Sequence, residues 1–262
     1  MWFAVWASLL GTCVLVASQP TGASSGRPLK LVAIGDSLPY GLRDCNYCLT
    51  FVERFGKALS RATGRRVTAS NLSEHTGIDS SDLRKEFGSS RSLRAAVAGA
   101  DAITVTIGHN DQPWNREDDP CGARTGATED WTKYDATCLA ATAATYGGNL
   151  DAILRQVRVL RAGKRTLLRV TNDYDDLIGD PSIPSDTVSS VKVFYDTFGD
   201  LTCQLARKYK AVCIDTYHAF NGAEGTRDAG SLLAGDHTHP SARGHALIAR
   251  LLVHAGFAPL QH

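Results

Sequence analysis

Short apolar runs rich in β-branched residues alternate along the chain with longer stretches in which apolar residues recur at helical spacing. Such runs are typical of parallel strands buried on both faces. They predict strands at Leu31–Ile34, Arg66–Asn71, Ala102–Ile107, Thr166–Val170 and Val212–Asp215. The helical stretches fall at 47–62, 91–98, 148–162, 187–209 and 241–255. The pattern predicts a three-layer α/β domain with a five-stranded parallel sheet, whose ligands bind beyond the carboxyl ends of the strands.

The amino-terminal segment differs from the rest in its pattern. Trp2 to Ser18 is almost wholly apolar, and a linker of small residues follows. We expect residues 1–26 to be a secretory signal peptide and linker, and residues 27–262 to form one domain that is secreted and is not stably inserted in a membrane. Because no Lys or Arg precedes the apolar run, an uncleaved single-span anchor remains the alternative.

The composition is that of an ordinary globular protein, with 43% hydrophobic and 21% charged residues. The 28 basic and 27 acidic residues leave a formal charge of +1. Such a balance provides no electrostatic footprint for nucleic acid, so we expect no nucleic-acid partner.

Six of the seven cysteines follow the predicted leader. An even number of cysteines in an exported chain predicts disulfides. Closeness in sequence favours the pairs Cys45 with Cys48, Cys121 with Cys138, and Cys203 with Cys213. The Cys45-x-x-Cys48 spacing also fits a redox or zinc half-site, which export and the lack of a second such spacing in the sequence disfavour.

Candidate catalytic residues occur at both ends of the domain. Ser37, in Gly-Asp-Ser-Leu directly after the first strand, lies where a side chain projects above the sheet, although a helix N-cap is the alternative for this turn. A serine hydroxyl needs a base to become a nucleophile. His239 precedes the last helix, and Asp236 is placed to accept its Nδ1–H and leave Nε2 as the base. A metal cluster of Asp236, His237, His239 and His245, or a plain polar loop, remains open.

Two further strand ends provide candidate donors to the oxyanion of an ester reaction. Asn110 follows the third strand and offers a side-chain amide, while Gly77 follows the second strand and offers a backbone N–H. An Asx turn at Asn110 and a simple turn at Gly77 are the alternatives. Because the carboxyl ends of parallel strands share one edge, nucleophile, base and donors are expected to converge in one crevice.

These four blocks resemble those of the GDSL or SGNH hydrolases, from about Leu31 to Ala255. The matching segments are Gly35-Asp36-Ser37-Leu38, Gly77, Gly108-x-Asn110-Asp111 and Asp236-x-x-His239-Pro240. The resemblance implies a flavodoxin-like fold and ester hydrolysis by Ser37, His239 and Asp236, without a metal or other cofactor. It implies an oxyanion hole formed by Ser37, Gly77 and Asn110. The cysteine count is similar to that of secreted bacterial lipases and esterases with three disulfides. His109 fills the variable position and receives no role.

The expected substrate is a small-molecule or lipid ester, and the expected state is a monomer. Polysaccharide acetyl groups, thioesters and phospholipids remain alternative substrates, and a non-catalytic carbohydrate- or lipid-binding module remains an alternative class. Two long connections, 112–146 and 172–186, are candidate walls of the site. Trp114, Trp131 and Tyr134 form either an apolar wall or packing beneath a loop. Asp173, Asp175, Asp176 and Asp180 in the second connection could coordinate calcium, but the string lacks an EF-hand spacing, so we expect a solvated acidic loop.

Overall fold

The computed structural model describes residues 1, 26–41, 45–74, 76–126, 128–181, 183–184 and 187–261. The predicted leader therefore lies almost wholly outside the described residues. None of the helices in the described ranges is both long enough and apolar enough to span a membrane.

A five-stranded parallel sheet forms the centre of the domain, in the order β2-β1-β3-β6-β7. Its strands are β1 (Leu29–Gly35), β2 (Val67–Asn71), β3 (Ala102–Thr106), β6 (Leu167–Thr171) and β7 (Val212–Ile214). A separate two-stranded antiparallel ribbon is formed by β4 (Arg124–Thr125) and β5 (Thr128–Glu129). Each predicted strand is confirmed, with ends that differ by no more than two residues.

Helices cover both faces of the sheet, which confirms the predicted three-layer class. They are α1 (Phe51–Thr63), α2 (Ser80–Ser89), α3 (Arg91–Gly99), α4 (Ala136–Leu160), α5 (Val188–Lys208), α6 (Thr216–Asn221) and α7 (Ala242–His254). Alternate residues of β1 face opposite layers: Val32 and Ile34 pack with α2 to α5, while Leu31 and Ala33 pack with α1 and α7. This two-sided burial explains why the strands read as continuous apolar runs.

The fourth helix begins at Ala136, 12 residues before the predicted start at 148. The prediction assigned residues 112–146 to a long connection. In the structure Gly147 lies inside the helix, where a Cβ atom would come within 2.8 Å of the Leu201 side chain on α5. Close helix packing therefore accounts for this glycine. Asp135 caps the earlier start by accepting a hydrogen bond from the Cys138 N–H. Two short helices, α2 and α6, were not predicted.

Three disulfides join cysteines that are close in sequence: Cys45 with Cys48, Cys121 with Cys138, and Cys203 with Cys213. These are the pairs that sequence proximity favoured. The second ties the 112–135 connection to the first turn of α4, and the third ties α5 to β7.

Candidate active site

Ser37 lies in the turn after β1, at the carboxyl edge of the sheet. Gly35 ends the strand with φ +143°, and a Cβ atom there would lie 1.6 Å from the carbonyl oxygen of Thr106 on β3. Only glycine permits this approach. The Asp36 N–H donates to the same carbonyl oxygen at 3.0 Å. The neighbouring strand thus fixes the turn, and Ser37 is 6% exposed.

The alternative role of this turn as a helix cap is wrong. Helix α1 begins 14 residues after Ser37, and its N-cap is Thr50. The Glu53 N–H donates to the Thr50 hydroxyl at 3.2 Å, and the Thr50 N–H donates to the Glu53 carboxylate at 2.8 Å. This capping box satisfies the helix end without Asp36 or Ser37.

A chain of hydrogen bonds joins Ser37 to the loop before α7. The Ser37 Oγ lies 2.9 Å from Nε2 of His239, and the His239 Nδ1 lies 2.7 Å from Oδ2 of Asp236. The two ends of the domain, 202 residues apart in sequence, therefore meet as the sequence predicted. The His239 side chain is 15% exposed and that of Asp236 is 39% exposed, so the chain of contacts opens to solvent at its acidic end.

The state of Asp236 determines the tautomer of the imidazole. Burial opposes its ionisation, but N–H donors from Thr238 and from the ring and backbone of His239 outweigh burial and lower the pKa of Asp236. An ionised carboxylate only accepts hydrogen bonds, so Nδ1 of His239 carries the proton. In the neutral ring, Nε2 is then left to accept a hydrogen bond from the Ser37 hydroxyl.

Gly77 and Asn110 line one cavity of about 320 Å³ at the same edge of the sheet. The Asn110 amide donates to the Ile78 carbonyl oxygen at 2.9 Å, which links the turn after β3 to the loop after β2. Gly77 has a φ of +73°, and a Cβ atom there would meet no atom within 4 Å. The left-handed backbone conformation, rather than a lack of space, therefore favours glycine at this position.

Asp111 joins the turn that contains Asn110 to the start of α2, which follows the loop that contains Gly77. Its carboxylate accepts the Ser80 N–H at 2.8 Å and also accepts the Ser80 hydroxyl at the start of α2. Asn149 donates to the same hydroxyl oxygen at 3.0 Å. Burial raises the pKa of Asp111 to about 7. Asp111, the aspartate of the third block, is therefore a buried residue that fixes the turn after β3 to the start of α2.

The first three aspartates of the connection after β6 are buried, which corrects the sequence-based expectation for them, whereas Asp180 is half-buried. Asp173, Asp175 and Asp176 are 7%, 0% and 6% exposed. The Asp173 carboxylate accepts a hydrogen bond from the Gln112 amide at 2.6 Å, and that of Asp176 accepts one from the Tyr195 hydroxyl at 3.1 Å. Internal donors thus replace water around the carboxylates of Asp173 and Asp176.

His109, which received no role from the sequence, is 5% exposed and lies among these aspartates. Its Nδ1 is 3.2 Å from Asp173, and its Nε2 is 3.8 Å from Asp176. Burial disfavours its charged form, but the carboxylates of Asp176 and Asp173 outweigh burial and raise the pKa of His109 to about 10. A buried imidazolium therefore neutralises part of the cluster. Its signal in the sequence is weak, because the partners are more than 60 residues away.

Asp175 makes folding stability depend on pH. Its Oδ1 accepts the Leu177 N–H, and its buried Oδ2 has no hydrogen-bond partner in the described chain. Burial raises the pKa of Asp175 to about 7, above a value near ~4 in an unfolded chain. The stability present below about pH 4 is therefore lost as the pH rises to about 7.

Replacing Asp175 with Asn removes this proton-linked contribution. We expect the melting temperature of Asp175→Asn, relative to the parent protein, to increase from pH 4 to about pH 7 and then to level off towards pH 8. Thermal unfolding followed by circular dichroism over this range measures the difference. Asp200→Asn, at an exposed site on α5, is the control for removal of a surface carboxylate. A difference between Asp175→Asn and the parent that stays constant or shrinks with pH would contradict the assignment.

The aromatic residues of the first connection pack inward. Trp114 is 6% exposed, its ring lies 5.2 Å from that of Phe194 on α5, and its indole N–H donates to Gln112 at 2.9 Å. Tyr134 is 2% exposed and packs edge-on against Trp114 at 5.5 Å. Packing beneath a loop therefore describes both residues, and the apolar-wall hypothesis is wrong for them. Trp131 is half-buried against the same cluster.

The alternative metal cluster in the last loop does not form. Among the described residues, the close group of potential ligands comprises Cys45, Cys48 and His245. The two sulfur atoms are bonded to each other, and Nδ1 of His245 accepts the Phe51 N–H at 3.3 Å, which leaves the ring proton on Nε2. This group therefore lacks the free thiolates and the lone pair on Nε2 that a cation needs.

The family of the chain follows from its sequence match. Residues 33–247 match the GDSL-like lipase/acylhydrolase family, and the chain belongs to this family. It is therefore a carboxylic ester hydrolase. No curated protein sequence matches it significantly.

Solved structures show the same fold. The lipase Lip_vut3 from a goat rumen metagenome superimposes with a TM-score of 0.72 at 23% identity, over 89% of this chain and 100% of that one. The acetylxylan esterase Axe2 from Geobacillus stearothermophilus gives 0.57 at 20% identity, over 89% and 96%. A lipase/acylhydrolase from Enterococcus faecalis gives 0.59 at 18% identity, over 87% and 94%.

Proposed function

We propose that the protein is a secreted serine esterase that cleaves carboxylic esters through Ser37, His239 and Asp236. The hydrogen-bond chain from Asp236 through His239 to Ser37, at 2.7 and 2.9 Å, carries this proposal. Secretion is supported by the three disulfides, which persist in oxidising compartments, and by the apolar segment at the amino terminus.

The first half of the reaction forms an acyl-enzyme. Nε2 of His239 takes the Ser37 proton as Oγ attacks the ester carbonyl carbon, and the ionised Asp236 stabilises the imidazolium. The backbone N–H groups of Ser37 and Gly77 and the amide of Asn110 donate to the oxyanion. His239 then returns the proton to the departing alcohol.

The second half regenerates the enzyme. Water gives a proton to Nε2 of His239 and attacks the acyl carbon, the same donors stabilise the second oxyanion, and Ser37 Oγ leaves with the proton from His239. Acid should therefore inhibit both halves, because a protonated imidazole accepts no proton.

A second candidate substrate is a short acyl group on a carbohydrate. The cavity that contains Gly77 and Asn110 is lined largely by polar side chains, among them Asp79, Arg116 and Glu117. Carboxylate, guanidinium and amide groups suit the hydroxyls of a sugar better than a long alkyl chain. The structural similarity to an acetylxylan esterase agrees with this candidate.

Covalent labelling tests the nucleophile directly. We expect a fluorophosphonate to modify one serine, and peptide mass analysis to place the label on Ser37, because its hydroxyl lies 2.9 Å from the imidazole of His239. Labelling of Ser37→Ala at the parent rate, or a label elsewhere, would reject the assignment.

A p-nitrophenyl ester series from acetate to palmitate then measures chain-length preference. The polar cavity predicts faster turnover of acetate and butyrate than of palmitate, and the reverse order would favour a lipase.

A further inference from the structure

The segment after β6, residues 172–176, is fixed at both ends by α6. Oδ1 of Asn172 accepts the Thr216 N–H at 2.7 Å. Asp175 and Asn221 exchange two hydrogen bonds: the Asp175 N–H donates to the Asn221 side chain at 3.0 Å, and the Asn221 amide donates to the Asp175 carbonyl at 2.7 Å. We call residues 172–176 the bridging segment. Its two anchors make it a rigid support between other parts of the site.

One side of the bridging segment contacts the turn that contains Asn110. Asp173 and Asp176 lie on either side of the imidazole of His109, which is adjacent to Asn110 in sequence. Asp173 also accepts the Gln112 amide at 2.6 Å. Charged and amide contacts therefore hold the turn on both sides of the Asn110 donor.

The other side of the bridging segment contacts the loop that contains the base. The Tyr174 hydroxyl donates to the carbonyl oxygen of Thr238 at 2.7 Å, and its ring stacks on Phe220 at 4.2 Å with an interplanar angle of 5°. Tyr174 is 1% exposed, so packing holds its ring and directs its hydroxyl. Thr238 immediately precedes His239.

The contact of Tyr174 fixes the peptide unit between Thr238 and His239. At one end of this unit, the Thr238 carbonyl accepts the Tyr174 hydroxyl. At the other end, the His239 N–H donates to Oδ1 of Asp236 at 3.0 Å. Hydrogen bonds at both ends restrict rotation of the peptide plane from which the imidazole projects. Without the Tyr174 hydroxyl, this peptide unit would keep only one of these two hydrogen bonds, that from the His239 N–H to Asp236.

We propose that the bridging segment aligns the two halves of the active site, with Tyr174 as the positioning residue for His239 and His109 as the positioning residue for Asn110. Because the same short segment contacts both loops, it sets the position of the base relative to the oxyanion donors. Displacement of a reacting group by about 1 Å costs on the order of 10²-fold in rate. This inference rests on the proposed function.

Tyr174→Phe tests the proposal, because it removes one hydroxyl and keeps the ring on Phe220. We expect kcat on p-nitrophenyl acetate to fall by about tenfold to a hundredfold with KM unchanged within twofold, since the base is misplaced while the binding surface is intact. The rate constant for fluorophosphonate modification of Ser37 should fall in parallel, because it depends on the same base.

Tyr217→Phe is the matched control. Tyr217 is also 1% exposed, and its hydroxyl donates to a backbone carbonyl, that of Gly225, at 3.2 Å. We expect Tyr217→Phe to shift the melting temperature about as much as Tyr174→Phe but to keep the parent kcat. A folded Tyr174→Phe protein with kcat within twofold of the parent, or an equal loss of kcat in Tyr217→Phe, would overturn the proposal.

Asp173→Asn tests the other part of the proposal, the positioning of Asn110 through His109. It also replaces the first test if Tyr174→Phe does not fold. This change keeps the shape of the side chain and weakens its contact with His109. We expect kcat to fall at least threefold with KM unchanged, and a folded variant with the parent kcat would count against the proposal. Labelling of Ser37 in the parent protein separates these outcomes: failure to label it rejects the proposed function, whereas labelling with unaffected variants rejects only the role of the bridging segment.

Discussion

Ser37→Ala is expected to lower kcat on p-nitrophenyl acetate by at least about 10⁴-fold, because no acyl-enzyme forms without the Oγ atom. The fold should persist, since the change removes one atom from a residue whose turn is held by backbone contacts with β3. Initial rates with purified protein, together with the melting temperature, measure both effects.

The matched control for this change is Ser73→Ala. Ser73 is 7% exposed, compared with 6% for Ser37, and it follows β2 at the same edge of the sheet. Its hydroxyl donates to Asn71 at 2.7 Å rather than to an imidazole. Activity within a few-fold of the parent is expected for Ser73→Ala. If Ser37→Ala kept more than about a tenth of the parent rate, another residue would have to be the nucleophile.

Replacement of His239 has the second large expected effect. His239→Ala should lower kcat by at least about 10⁴-fold with little change in KM, because neither Ser37 nor the hydrolytic water then has a base. Asp236→Asn should cost less, on the order of 10²-fold to 10⁴-fold, since Nε2 still lies over Ser37 while the imidazolium loses its counter-charge. The same ester assay ranks the two variants.

The chain contains a second Asp-His pair, which is a matched control for the replacement of Asp236 and His239. Asp215 and His218 have the same spacing as Asp236 and His239, and their side chains approach to the same 2.7 Å. His218→Ala should therefore keep the parent kcat, because contact with Ser37 rather than the Asp-His pair itself makes a catalytic base. A greater loss in Asp236→Asn than in His239→Ala would contradict the assigned roles.

The Asp-x-x-His spacing occurs twice, and it shows how much of the candidate site the sequence could predict. Both pairs follow a strand at the carboxyl edge or precede a helix, so spacing alone did not identify the base. Two features of the sequence distinguish the second pair: the position of His239 before the last helix and the resemblance of its block to the family pattern. The 2.9 Å contact with Ser37 exists only in three dimensions.

The strands were predictable because the burial of both faces leaves a continuous apolar signal in β1, β3 and β6. The start of α4 was not predictable. Gly147 lies inside this helix because the Leu201 side chain of α5 packs against it, and that contact is distant in sequence. The same limit explains the error at Asp173 and Asp176. A run of carboxylates in a sequence indicates a solvated loop. Its burial is explained only by the contacts with His109 and the Gln112 amide, which the sequence does not show.

The direction of β1 has a practical consequence. Because Leu29 begins this strand and Ser37 follows its end, residue 29 lies at the edge of the sheet opposite Ser37. Helix α7 returns the chain to that edge, where Pro259 and Leu260 line a cavity with Arg27 and Leu29. Attachment of the enzyme to a bead or an electrode at Arg27 or Leu260 would therefore leave Ser37 facing away from the support, accessible to polymeric or particulate esters.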